Sequence, residues 1–134
     1  MNFDVPVPTP TPTTAPFWDG LKEGVVRLQR CRDCDQWVFY PRSRCSHCLS
    51  DALEWRDVSG RAKLYTYTIA RQPTAPHFAD QVPQHLAVVE LEEGVRLTTT
   101  LVDVADDQIE IGMRLEPVFE PVSDEITLLR YRPA

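Results

Sequence analysis

The chain has 134 residues, with 14 Lys and Arg against 20 Asp and Glu, and a formal net charge of −6. This length is enough for one hydrophobic core, and no apolar run reaches the about 18 residues of a membrane-spanning helix, so no membrane association is expected. The negative charge argues against general nucleic-acid binding, which depends on counterion release by Lys and Arg.

The N-terminal region alternates proline with valine or threonine between residues 5 and 16. Such a sequence favours an extended polyproline II conformation and contributes little to a core. Residues 1–13 are therefore predicted to form a flexible tail. They have neither the basic nor the apolar region of a signal peptide, so a cytoplasmic protein is expected.

A short helix is predicted over residues 14–24, with Gly24 at its end. Phe17 and Leu21 are four residues apart and would share one helical face, with Trp18 beside them. These bulky side chains either cap the core of the chain itself or lie in a groove of a partner protein. The sequence favours neither interpretation.

All cysteines of the chain lie in a predicted ribbon over residues 25–55, as two Cys-x-x-Cys pairs: Cys31, Cys34, Cys45 and Cys48. Two such pairs close a tetrahedral shell of four sulfur atoms, which is typical of structural zinc. A closed shell leaves no position for water or substrate, so we expect Zn²⁺ to stabilise the ribbon rather than to catalyse. Iron is the less favoured alternative. Ribbon strands are predicted at residues 25–30 and 36–40.

The ribbon is locally basic, with five arginines against two aspartates between residues 27 and 44. Four thiolates around a divalent cation carry two negative charges, so most of this cluster is explained as compensation for the metal site. A role in binding a phosphate group stays open for Arg42 and Arg44, and Arg71 is a third candidate.

Residues 56–134 alternate polar and apolar side chains with a period of two, which predicts strands. Five are expected, at residues 64–69, 86–91, 95–101, 109–119 and 126–131. Short antiparallel strands that close on one another are typical of an OB-fold barrel. The predicted fold class is therefore mainly β: a short N-terminal helix, a zinc ribbon and a five-stranded OB-fold barrel.

No catalytic constellation is apparent. His77 and His85 lie in or beside a proline-rich loop, without a Ser-x-Gly elbow or a paired-His metal motif, and five glycines leave little room for a phosphate-binding loop. We therefore predict no catalytic residue and expect that the chain is not an enzyme by itself.

The order of motifs resembles that of a known family. Phe-Trp-Asp-Gly-Leu precedes the cysteine pairs, Pro41-Arg42 precedes the second pair, and residues 55–60 read Trp-x-x-Val-Ser-Gly. Residues 65–69, 93–97 and 111–113 continue the pattern as Tyr-Thr-Tyr-Thr-Ile, Glu-Gly-Val-Arg-Leu and Ile-Gly-Met. This order is similar to that of the rubredoxin-like zinc-ribbon plus OB-fold proteins associated with acyl-CoA metabolism, formerly catalogued as a domain of unknown function.

The resemblance implies an accessory subunit that associates with a thiolase, a thiolase-like aldolase or an acyl-CoA hydratase, for example in lipid or steroid degradation, and that meets acyl-CoA through this partner. It also implies that the four cysteines bind zinc. Many relatives have glycine at the position of Asp35. The aspartate in this chain could therefore distort the first knuckle. Aromatic residues commonly anchor interfaces, and the candidate partner contacts are Phe17, Trp18, Leu21, Trp37 and Phe39.

Two other functions stay open from the sequence. The barrel could bind single-stranded nucleic acid, with Tyr65 or Tyr67 as stacking platforms, although the net charge of −6 and the presence of only two lysines argue against it. Alternatively, the chain could bind a CoA ester without a partner, with Arg42, Arg44 or Arg71 contacting the phosphates.

Overall fold

The computed structural model describes residues 7–73 and 75–134, and only the backbone of His77. Residues 1–6 of the predicted tail lie outside the described residues. In the described part, α1 spans Ala15–Lys22, and the strands are β1 Val26–Cys31, β2 Trp37–Val38, β3 Leu53–Val58, β4 Ala62–Ala70, β5 Gln84–Leu91, β6 Arg96–Leu101, β7 Arg114–Pro121 and β8 Thr127–Pro133. Two short 3-10 helices, Pro76–Gln81 and Asp106–Gln108, lie in connections. The predicted mainly-β fold class is confirmed.

Helix α1 forms because one of its faces is apolar, and it packs on β1, β7 and β8. Its end is set by Gly24, which has a φ of +77°. The N–H of Gly24 donates to the carbonyl of Leu21 at 3.1 Å, and the N–H of Val25 donates to that of Gly20 at 2.8 Å. This is a Schellman ending, which satisfies the last carbonyl groups of the helix.

The ribbon is a three-stranded antiparallel sheet in the order β2-β1-β3. Strand β3 is not among the strands predicted from the sequence; its six residues pair with all of β1. Strand β2 is shorter than the predicted 36–40. Phe39 and Tyr40 leave the sheet and pack their rings on Phe17 of α1, at centroid distances of 5.6 and 6.0 Å.

The other five strands form a closed barrel in the order β4-β5-β6-β8-β7. Strand β7 returns to β4, and β6 pairs with β8 in parallel through Leu101 and Tyr131. This is the strand order of an OB fold. The core contains inward-facing residues of every barrel strand and also Val26 and Leu28 of β1, so ribbon and barrel share one core.

The fourth barrel strand begins later than predicted, at Arg114 rather than at residue 109. Gly112 has a φ of +87°, which interrupts the extended conformation, and Ile111 is 61% exposed. The alternation of apolar residues before Arg114 therefore reflects a turn and not a strand. Within the described residues, no helix has the length and apolar character needed to cross a bilayer.

Candidate metal centre and aromatic cluster

The four cysteine Sγ atoms all lie within 4.8 Å of one another. The Cys31–Cys48 and Cys34–Cys45 sulfur pairs are each 3.6 Å apart. A disulfide would need about 2 Å, whereas the sulfurs of a tetrahedral site with Zn–S bonds of about 2.3 Å are separated by about 3.8 Å. The cysteines thus form a four-sulfur site that fits a tetrahedral metal ion, as the spacing predicted.

The two Cys-x-x-Cys knuckles have the same turn. Asp35 and Leu49, which follow the second cysteine of each pair, have φ values of +61° and +66°. Their N–H groups donate to the carbonyls of Cys31 and Cys45, both at 2.9 Å. Aspartate tolerates the left-handed conformation, so the first knuckle is not distorted by Asp35. The strained position is Leu49 in the second knuckle.

Backbone amides also point at the sulfur atoms. Burial raises the pKa of Cys45, but the N–H groups of His47 and Cys48 donate to its sulfur and lower the pKa to about 6. For Cys34, the N–H of Gln36 lowers the pKa, but burial and the neighbouring thiols outweigh it and raise the pKa to about 12. Four thiolates this close would repel one another, and a bound divalent cation removes that repulsion.

Gln29 holds the segment that leads into the second knuckle against the ribbon sheet, and it was missed by the sequence analysis. It is only 5% exposed. Its side-chain amide donates to the carbonyl of Arg42 and accepts from the N–H of the same residue, both at 2.9 Å. Nothing in the local pattern distinguishes this glutamine from a surface residue, because its partner is thirteen positions away.

The three large apolar side chains of α1 are buried within this chain, with Phe17, Trp18 and Leu21 being 4%, 9% and 1% exposed. They therefore offer little area to a partner, and the interpretation that they cap the chain's own core accounts for their contacts. The exposed part of the cluster is Tyr40, 41% exposed, whose hydroxyl accepts a hydrogen bond from Trp18 Nε1 at 3.2 Å. Tyr40 is not among the partner contacts predicted from the sequence.

Trp37 and Phe39, the other predicted partner contacts, are half-buried. Trp37 lies beneath the guanidinium of Arg30, 5.5 Å from the ring centroid. Phe39 stacks edge-on with Tyr40 at 5.4 Å. Together with Tyr40, these two residues are called the aromatic edge below.

The three arginines proposed for phosphate binding each contact a different partner, and no contact among the described residues joins them. Arg42 donates to the carbonyl of Tyr40 at 3.1 Å, and Arg44 donates to that of Leu49 at 3.2 Å. Arg71 lies just after β4 and pairs with Asp106 at 3.3 Å.

The two tyrosines considered as stacking platforms for nucleic acid, Tyr65 and Tyr67, have rings that are partly covered by other residues. Tyr65 is exposed, but the guanidinium of Arg96 lies 3.8 Å above its ring centroid. Tyr67 packs against the core of the barrel. Stacking of successive bases needs open aromatic faces, which these two residues provide poorly.

The families that the chain matches contain the same two parts, a zinc ribbon and an OB fold. Residues 18–54 match a family described as "ChsH2, rubredoxin-like zinc ribbon domain", and residues 55–120 match "ChsH2, C-terminal OB-fold domain". The chain is 34% identical over 111 residues to a DUF35 domain-containing scaffold protein of Methanocaldococcus jannaschii, covering 81% of this chain and 77% of that protein.

The chain is also 38% identical over 119 residues to a probable enoyl-CoA hydratase alpha subunit of Thermomonospora curvata. The match covers 88% of this chain but only 37% of that protein. A solved structure named Ltp2-ChsH2(DUF35) aldolase contains a chain that is similar at a TM-score of 0.82 and 34% identity, over 95% of this chain and 98% of that one. The protein therefore belongs to the ChsH2 (DUF35) family of rubredoxin-like zinc-ribbon and OB-fold proteins.

Proposed function

We propose that this chain is a non-catalytic accessory subunit that binds and supports a thiolase-like acyl-CoA enzyme. The observation that carries this proposal is the similarity to 98% of a chain in the structure named Ltp2-ChsH2(DUF35) aldolase. The match also covers 95% of this chain, so it includes both the ribbon and the barrel. Hydratase-like partners are the second class, because a relative is named as a hydratase subunit.

The metal in this proposal is zinc with a structural role. All four ligand positions of a tetrahedral ion can be filled by Cys31, Cys34, Cys45 and Cys48, whereas a catalytic zinc keeps one position open for water or substrate. The bound ion would hold the two knuckles together, and it would leave the chemistry on acyl-CoA to the partner enzyme.

The aromatic edge is the proposed partner contact within this chain. Phe39 and Tyr40 border a groove of about 520 Å³ whose lining also includes Thr98 and Arg130. Aromatic side chains next to a groove supply the kind of anchor on which interfaces depend. Phe17 and Trp18 support this edge from beneath, so their substitution would disturb folding as well as binding.

The test is co-purification of the tagged chain from its own host at native expression levels, with partners identified by mass spectrometry. We expect a stoichiometric thiolase-like or hydratase-like polypeptide. Tyr40→Ala should weaken its capture about tenfold or more, whereas Tyr65→Ala, a matched control that is 46% exposed on the barrel, should not. Equal capture by both variants would contradict the proposed contact, and the absence of any partner would contradict the accessory role.

Arg42 and Arg44 remain the proposed contacts to CoA phosphates inside such a complex. Both are exposed, and neither forms an ion pair with a carboxylate among the described residues. In the purified complex, the double substitution Arg42→Gln, Arg44→Gln should weaken CoA binding. Unchanged affinity would remove these residues from the site.

A further inference from the structure

A cavity with a volume of about 760 Å³ lies against the strands of the barrel. It is bordered by the start of β5, the end of β6, and β7 and β8 with the hairpin between them. In OB folds, ligands commonly bind on the corresponding second and third strands and on the loops that flank them. Cavities of this size accommodate small molecules.

The cavity wall contains one polar side chain that makes no hydrogen bond within the described residues. Gln84 lines the cavity and is 8% exposed, and its side-chain amide makes no hydrogen bond with any described residue. The amide atoms are not among the polar atoms that are cut off from solvent, so they are free to bond to water or to a ligand in the cavity. A ligand group that both donates and accepts a hydrogen bond could replace water on this amide.

The charges of the cavity are already matched within the chain. Arg130, 21% exposed, pairs with Glu120 at 3.6 Å and donates to Thr100 Oγ1 at 3.1 Å. The remaining wall is largely apolar, and includes Leu101, Val122 and Leu128. The cavity therefore offers no unmatched charge to an ionic ligand.

We propose that this cavity binds an uncharged, mostly apolar small molecule through one hydroxyl or amide group that hydrogen-bonds to Gln84. The aliphatic or alicyclic body of the ligand packs on Leu101, Val122 and Leu128. The site belongs to the barrel itself, and its existence does not depend on the accessory function proposed above.

The test uses the full chain with its metal bound and three probes of similar size: decahydro-2-naphthol, the parent hydrocarbon decalin, and decahydro-2-naphthoic acid. Binding is followed by the methyl resonances of Leu101, Val122 and Leu128 in ¹³C-edited NMR spectra. We expect the alcohol to cause saturable shifts at these methyl groups and to bind about fivefold to tenfold more tightly than decalin, as one hydrogen bond would give. The carboxylate should bind more weakly than the alcohol.

Gln84→Met keeps the length of the side chain and removes its amide. It should weaken binding of the alcohol about fivefold to tenfold and leave binding of decalin unchanged. Gln72→Met, at an exposed glutamine outside the cavity wall, is the matched control and should change neither. The proposal is overturned if the wild-type chain binds decalin as tightly as the alcohol, prefers the carboxylate, or shows no saturable shift. These wild-type comparisons hold even if Gln84→Met misfolds.

Discussion

The barrel and the tip of the ribbon bury very different amounts of apolar surface. The barrel core contains large aliphatic residues such as Leu64, Val89 and Leu115, which are at most 1% exposed. The ribbon tip has a separate cluster in which the only buried residues are Cys31, Val38 and Cys45. A cluster so small cannot offset the conformational entropy lost when the two knuckles are ordered. The comparison indicates that the barrel is stabilised by its core and the ribbon tip by its metal.

The base of the ribbon behaves differently from its tip, because β1 belongs to both regions. Val26 and Leu28 are part of the barrel core, whereas Cys31 at the other end of the same strand is a metal ligand. A structural metal in such a position is expected to fix the residues beyond Cys31 without determining whether the barrel folds. This expectation can be tested by removing the metal.

Metal removal should have the largest effect of the changes considered, and this effect should be confined to the ribbon tip. Binding of structural zinc to small ribbons contributes on the order of 10 kcal/mol to their folding. Treatment with a strong chelator, or the substitution Cys45→Ser, should abolish hydrogen-exchange protection over residues 31–52 and leave β4 to β8 protected.

Ser46→Ala is the control for that experiment, since Ser46 is exposed within the second knuckle and is not a ligand; it should retain full protection. Metal analysis of the untreated protein should find one zinc per chain. Loss of protection in the barrel together with the tip would show that the two regions are not independent. Iron in place of zinc would correct the identity of the metal only.

The parts of this architecture that could be predicted from sequence are those with a local signal. The spacing of the cysteines specifies a metal site because the ligands of each knuckle are three positions apart, and a period of two in the apolar residues indicates strands. Strand β3 was missed because its partner β1 is about thirty positions away and its own sequence carries three charges. The direction in which Phe17 and Trp18 pack, and the burial of Gln29 and Gln84, likewise depend on contacts distant in sequence.

The junction between the two regions provides a second test, through Gly60. This residue has a φ of +77°, and a Cβ added to it would lie 2.9 Å from Val26 Cγ2 and 3.0 Å from Pro117 Cγ. Its carbonyl also accepts a hydrogen bond from Tyr131 Oη at 2.7 Å. Gly60→Ala should therefore lower the free energy of unfolding by about 3 kcal/mol, from both backbone strain and overpacking.

Gly94→Ala is the matched control for Gly60→Ala, because Gly94 has a φ of +90° but no atom within 4 Å of an added Cβ. It should cost only about 1 kcal/mol, the contribution of the backbone conformation. Urea unfolding of both variants would measure the difference. Equal losses would mean that the close approach of ribbon and barrel at Gly60 can relax, and that the junction is looser than its distances indicate.

The smallest effect is expected from substitutions that compare the two knuckles with each other. Leu49 and Asp35 have nearly the same positive φ, but leucine adopts this conformation at a cost that aspartate largely avoids. Leu49 is 71% exposed, so its replacement by glycine loses little burial, and the carbonyl that accepts from Arg44 is retained. Leu49→Gly should raise the free energy of unfolding of the ribbon tip by about 1 kcal/mol, whereas Asp35→Gly should change it little, as measured by hydrogen exchange at the knuckle amides with metal bound. If Leu49→Gly instead weakens protection, then the exposed leucine contributes packing that outweighs its strain, and the second knuckle is held by more than its metal.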